Sequence, residues 1–181
     1  IGFISIIIGK ERKKSKKKKD KKAPASAVGK ALKKIKSVNG KPNQKALVYY
    51  YLQSASWCGP CKQAMPDIVE TYKEMREDGR AEIILVGHDQ TPEGVKAYIS
   101  GYKSKMPAVQ VQAKNVDKLP GFSLASGIPN VIVVSADGNV ITQGYPTSII
   151  PQWKAEVERI EAAAADSDNK EAEEESTAAE E

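Results

Sequence analysis

Residues 46–62 read ALVYYYLQSASWCGPCK, and the order of residue types in this stretch decides the fold. Positions 46–54 are rich in β-branched and aromatic side chains, the composition of a buried strand. Ala55-Ser56-Trp57 then lead into Cys58-Gly59-Pro60-Cys61. Beyond it Met65, Ile68, Val69, Tyr72 and Met75 recur at helical spacing, up to a stop at Asp78-Gly79. A Cys-x-x-Cys at a strand-to-helix turn places its first sulfur at the helix N-terminus, where backbone N–H groups lack intrahelical partners. Such amides stabilise a thiolate, the reactive form of cysteine, and draw its pKa from about 8.5 toward about 7. Cys58 is therefore the expected attacking thiol. Cys61, one turn further in, is the expected resolving thiol. Pro60 presets the backbone at a position that needs no N–H donor.

Outward from this stretch the pattern alternates. Residues 81–87 (AEIILVG) predict a second buried strand, and Thr91-Pro92 opens a helix over 92–103. Residues 106–122 are less regular, with a short strand expected around Val109–Val111. VIVV (131–134) and NVIT (139–142) flank Asp137-Gly138, a hairpin signal. Ile149, Ile150, Trp153, Val157 and Ile160 mark a closing amphipathic helix, with Trp153 in the core. Upstream, Val28, Leu32 and Ile35 suggest a helix over 26–36, and Asn39-Gly40 a turn. The fold class is α/β, a central mixed sheet with helices on both faces. The expected organisation is an N-terminal region over 1–37, a domain over 38–162, and an acidic Ala/Glu-rich tail over 163–181.

Charge is segregated along the 181 residues. Residues 10–36 carry 14 Lys/Arg against two acids, and residues 161–181 carry nine acids against one lysine. The stretch between them is nearly neutral, with 13 basic and 12 acidic residues. A nucleic-acid-binding domain would hold its basic groups on the folded part, so that class is set aside. The apolar run Ile1–Ile8 is far short of the ~20 residues that span a bilayer. It reads as the back end of a signal-anchor or transmembrane helix, giving a membrane association through the N-terminal region. The lysines after it would then hold the domain on the cytoplasmic side and attract anionic headgroups.

With two cysteines in all, a disulfide-stapled scaffold is not indicated. A structural zinc site needs four ligands, and only His88 is available to join the pair. No metal or organic cofactor is expected. His88 follows the 81–87 strand, at the edge where α/β sites lie, although a hydrogen-bonded loop histidine is the preferred reading. Tyr49, Tyr50 and Tyr51 alternate across a strand and are accounted for by packing.

The run Ser54-Ala55-Ser56-Trp57-Cys58-Gly59-Pro60-Cys61-Lys62 resembles the active-site segment of the thioredoxin superfamily. Its Ser-Ala-Ser-Trp-Cys lead-in is similar to that of tryparedoxins and nucleoredoxins. Pro66 matches the proline of the family's active-site helix, and Gly127-Ile128-Pro129-Asn130 before VIVVSADGNVI resembles its cis-proline segment. Gly87-His88-Asp89 and Tyr102 to Met106-Pro107 are similar to the tryparedoxin insertion. The resemblance spans residues 38–160 and implies a thioredoxin-like fold, catalytic Cys58 and Cys61, and supporting Trp57, Gly59, Pro60, Ile128 and Pro129. It also implies a cis Ile128–Pro129 bond packed against Cys58, where the residues alone permit a trans proline opening a strand.

Three departures stand out. The family's buried acid is Leu52 here, a Glu of some membrane-anchored relatives is Ala64, and the Trp after Met-Pro in tryparedoxins is Ala108. Lys62 and His88 are left as modulators of Cys61 deprotonation, and a steeper pH dependence of exchange is expected.

The function so implied is disulfide reduction through a mixed disulfide, since Cys-Gly-Pro-Cys goes with reducing members near about −270 mV. Partners would be a protein or small-molecule disulfide and an upstream thiol reductant, with the protein a monomer. The alternative is a membrane-tethered adaptor with a redox-switchable disulfide. A peroxidase is disfavoured, because the residues before Cys58 do not match Pro-x-x-x-Thr-x-x-Cys.

Overall fold

The computed structural model describes the backbone of residues 25–178 and side-chain surroundings up to residue 166. The expected anchor over Ile1–Ile8 and the lysine run after it lie outside the described residues. Among those described, no helix is long and apolar enough to cross a membrane.

Five strands form one sheet: β1 (Val48–Ser54), β2 (Ala81–Gly87), β3 (Ala108–Gln110), β4 (Asn130–Ser135) and β5 (Val140–Gly144). Their spatial order is β3-β2-β1-β4-β5. The pairs β1/β2 and β2/β3 are parallel, whereas β1/β4 and β4/β5 are antiparallel. The sheet is mixed because α2 (Gly59–Asp78) and α3 (Pro92–Gly101) carry the chain back for parallel pairing, while β4 turns directly into β5. Gly138, at φ +91°, supplies the left-handed residue of that turn.

Side-chain alternation along β1 divides the core in two. Val48, Tyr50 and Leu52 pack with Met65, Ile68 and Tyr72 of α2, Val95 and Ile99 of α3, and Trp153 and Val157 of the closing helix (Trp153–Ala178). Tyr49 and Tyr51 face the other layer, with Val28 and Leu32 of α1 (Ala27–Leu32), Val116 and Leu119. Helices thus cover both faces, as in the thioredoxin fold. The tyrosines fit because their hydroxyls find partners at the rim: Tyr51 donates to the Pro120 carbonyl (3.0 Å) and Tyr49 pairs with Ser26 Oγ (3.0 Å).

Several element boundaries differ from the sequence reading. The first helix stops at Leu32 and not at 36, because Lys34 and Ile35 donate to carbonyls three residues back and tighten the chain out of the α-helix. Its Val28 and Leu32 are buried together with Tyr49 and Tyr51 of β1. The third strand begins one residue earlier than expected, at Ala108, where the Asn39 backbone also bridges to it. Beyond Glu161 the backbone stays helical to Ala178.

Candidate active site

β1 and β2 end side by side, with Ser54 paired to Gly87, and the site is built on this edge. After Ser54 the chain turns through Ala55-Ser56-Trp57, and Cys58 becomes the N-cap of α2. The Cys58 Sγ accepts the backbone N–H of Cys61 at 3.2 Å, so the sulfur itself caps the helix. Gly59 and Pro60 form the first turn, and Pro66 lies inside the helix. Cys58 and Cys61 are joined as a disulfide, with their Cα atoms 5.2 Å apart. Both are buried, Cys61 more deeply (1% exposed against 6%).

The Ile128–Pro129 peptide is cis. It brings the Ile128 carbonyl oxygen to 3.7 Å from Cys58 Sγ, and Ile128 packs with Ala55 and the two sulfurs in a small apolar cluster. Trp57, to which the resemblance gives a supporting role, is 65% exposed. Trp153 is core.

Two buried polar residues hold this edge, Gln53 and Asp89, and neither was given a role from the sequence, although Asp89 lies in the quoted Gly87-His88-Asp89 run. Asp89 accepts the Ser56 N–H with both carboxylate oxygens (3.3 Å each) and the Ser56 hydroxyl at 2.5 Å. It thereby fastens the turn before Cys58 to the loop between β2 and α3. Gln53 of β1 donates through Nε2 to the Ser123 carbonyl (2.9 Å) and accepts the Ala125 N–H on Oε1 (3.0 Å). A long polar side chain near the end of a largely apolar strand was the available signal for Gln53. For Asp89 it was adjacency to His88.

His88 and Lys62 are placed differently from one another. The His88 Nε2 lies 3.0 Å from Gln53 Oε1. Since that oxygen is an acceptor toward Ala125, Nε2 must carry the hydrogen. Burial lowers the His88 pKa, against an opposing pull from the Asp89 charge. The imidazole is thus committed to Gln53 through Nε2. Lys62 is exposed on the first turn of α2. Leu52 and Ala64 are both buried in the core layer beneath α2, so neither position supplies an acid. Ser54 pairs with the Tyr98 hydroxyl (2.9 Å), whose pKa burial pushes up to about 12, partly offset by that bond. Among the described residues no group of three or more His, Cys, Asp or Glu is placed to hold a metal.

With this geometry in hand, comparison with known proteins is informative. A thioredoxin-like family model matches residues 44–140. The chain is 32% identical over 93 residues to probable nucleoredoxin 1 of Arabidopsis thaliana, covering 50% of the chain and 15% of that protein. It is 32% identical over 88 residues to the thiol-disulfide oxidoreductase ResA of Bacillus anthracis, covering 49% of each. The solved structure of tryparedoxin I from Crithidia fasciculata superposes with a TM-score of 0.53 at 25% identity, covering 70% of this chain and 92% of that one. The chain therefore spans about half or less of these curated relatives, and nearly all of a stand-alone tryparedoxin.

Proposed function

Because the chain belongs to the thioredoxin-like family, we propose that it is a thiol–disulfide oxidoreductase working as a disulfide reductase. The observation that carries this reading is the capping of a 20-residue helix by Cys58 Sγ through the Cys61 amide. An amide already directed at the sulfur, with the helix dipole behind it, favours the charged form of the thiol.

In the dithiol state the Cys58 thiolate attacks one sulfur of a substrate disulfide. A Cys58–substrate bond forms as the substrate S–S bond breaks, and the first substrate thiolate leaves with its proton taken from solvent. Cys61 then loses its proton and attacks Cys58 Sγ. The mixed disulfide breaks, the second substrate thiol departs, and the Cys58–Cys61 bond seen here is formed. Two electrons pass to substrate, and a thiol reductant must return them. With Leu52 and Ala64 at the positions of the expected acids, the Cys61 proton goes to water, so this second step is the one that steepens with pH.

The test is turbidimetric reduction of insulin with dithiothreitol as donor, together with an equilibrium titration against a glutathione or thioredoxin couple. The reading expects turnover and a potential near about −270 mV, whereas a value near about −120 mV marks an oxidant. Loss of insulin reduction in Cys58→Ser supports the enzyme, whereas partner recruitment left unchanged by Cys58→Ser would favour the adaptor reading.

A further inference from the structure

The three consecutive tyrosines of β1 differ in what their hydroxyls meet. Tyr49 pairs with Ser26 Oγ, and Tyr51 donates to the Pro120 carbonyl. Tyr50 is 1% exposed, and among the described residues its hydroxyl has no hydrogen-bond partner. Packing accounts for its ring. A buried hydroxyl left unpaired, however, carries a desolvation cost that phenylalanine would avoid. Tyr50 lines a cavity of about 140 Å³ between the sheet and the closing helix, with Val133, Thr142, Ile149, Gln152 and Glu156. The Glu156 charge acts on the Tyr50 hydroxyl, so carboxylate and hydroxyl serve the same cavity.

The polar groups around this cavity accept more than they donate. Glu156 offers only acceptors: exposed Arg159 pairs with its two oxygens at 2.5 and 3.3 Å, and each oxygen keeps a further lone pair. The Gln152 Nε2 donates to the Ser148 carbonyl at 2.7 Å, which leaves Oε1 as an acceptor. The hydroxyls of Tyr50 and Thr142 have lone pairs of their own. Among the described residues no lysine, arginine or histidine lines the cavity, and Val133 and Ile149 supply its apolar wall. A cavity of this volume holds a molecule of up to about six non-hydrogen atoms. The guest that fits is a pure donor with a positive charge and a short alkyl chain.

We infer that this cavity binds a small primary alkylammonium, its head held by Glu156 and Tyr50 and its chain against Val133 and Ile149. A carboxylate or phosphate would meet Glu156 as a like charge, and a neutral alcohol would leave that charge unmatched. The site is separate from the sulfurs. Tyr50 lies four residues before the end of β1, about 13 Å from the active edge. Binding there requires neither the disulfide nor the oxidoreductase reading.

The experiment titrates propylammonium chloride into the full chain in its disulfide form, read by NMR at the Thr142 and Gln152 amides and the Val133 and Ile149 methyls. The controls are n-propanol, which has the same count of non-hydrogen atoms without the charge, and propionate, which reverses it. Propylammonium should give saturable shifts at these groups with a Kd on the order of 1 mM, within reach of so small a ligand. Propanol should bind at least about tenfold more weakly, and propionate and sodium chloride should give no saturable shift. Tyr50→Phe removes only the hydroxyl, so the urea midpoint should hold or rise while propylammonium binds about tenfold more weakly. Glu156→Gln should weaken binding by a similar factor. Arg159→Ala should strengthen it about threefold, by leaving the carboxylate to the guest. A propylammonium titration without saturable shifts overturns the inference, as does propanol that binds equally well. So does a Tyr50→Phe variant with a lower urea midpoint and unchanged binding, which would assign the hydroxyl to a structural water.

Discussion

The two ends of strands β1 and β2 each bury polar groups, and they use them differently. At the C-terminal end Gln53 and Asp89 receive or donate hydrogen bonds that fasten loops around Cys58. At the N-terminal end Glu82, 2% exposed, accepts the Asn43 N–H at 2.6 Å and lies near Tyr72 and Arg76. Burial raises the Glu82 pKa to about 7, against the Asn43 hydrogen bond and the Arg76 charge. Taken alone, that carboxyl has the signature of a general acid. Its place rules out a role in the exchange: five strand residues, about 16 Å, separate it from Gly87 at the active edge. A perturbed acid therefore marks strain in the fold here, and the site is marked by backbone amides and sulfur.

Four substitutions separate the two ends. The largest effect belongs to Cys58→Ser, which should lower insulin reduction by at least about a thousandfold, or about 4 kcal/mol of barrier. The stability of the reduced protein, measured by urea denaturation, should barely change.

Glu82→Gln should act on stability and leave turnover intact. An acid whose folded pKa lies above its unfolded value binds its proton more tightly in the fold. Its contribution is fully present below about 4.5 and is lost as pH rises through about 7. The difference amounts to about 3 kcal/mol. Wild type should therefore lose stability relative to Glu82→Gln between pH 4.5 and 7, and the gap should stay constant above pH 8. A gap independent of pH would show that Glu82 titrates alike in the folded and unfolded states, contrary to the raised pKa.

Asp89→Ala removes the acceptor of the Ser56 N–H and hydroxyl and should cost about 2 kcal/mol in denaturant unfolding. Unlike Glu82→Gln it should also slow insulin reduction, because the freed turn leads directly into Cys58. Lys154→Ala, which breaks an exposed ion pair with Glu74 (2.9 Å), should change stability by less than about 0.5 kcal/mol and activity not at all.

Much of this architecture could be read from local pattern. The β2 boundaries follow from a mostly apolar run between Arg80 and His88, and the end of α2 from Gly79, which adopts φ +82°. Cys58 at the N-cap was legible because a strand, a Gly-Pro turn and a helical stripe adjoin in sequence. What escaped depends on contacts distant along the chain. The partners of Gln53 lie 70 and 72 residues away, and Ser56 and Asp89 are 33 apart. No periodicity encodes such pairs. His88 attracted notice as the lone histidine, yet its neighbour Asp89 holds the active-site turn. Glu82 was hidden inside the run that made β2 legible.

The account stands on the reactivity of one sulfur at a helix N-terminus. Timed alkylation of the fully reduced protein with iodoacetamide from pH 5 to 9, read at each cysteine by mass spectrometry, measures it. The prediction is that Cys58 is modified at least about tenfold faster than Cys61 at pH 7, with a midpoint well below the ordinary thiol value of about 8.5. A Cys58 that titrates like a free thiol, or a Cys61 that reacts first, would contradict it.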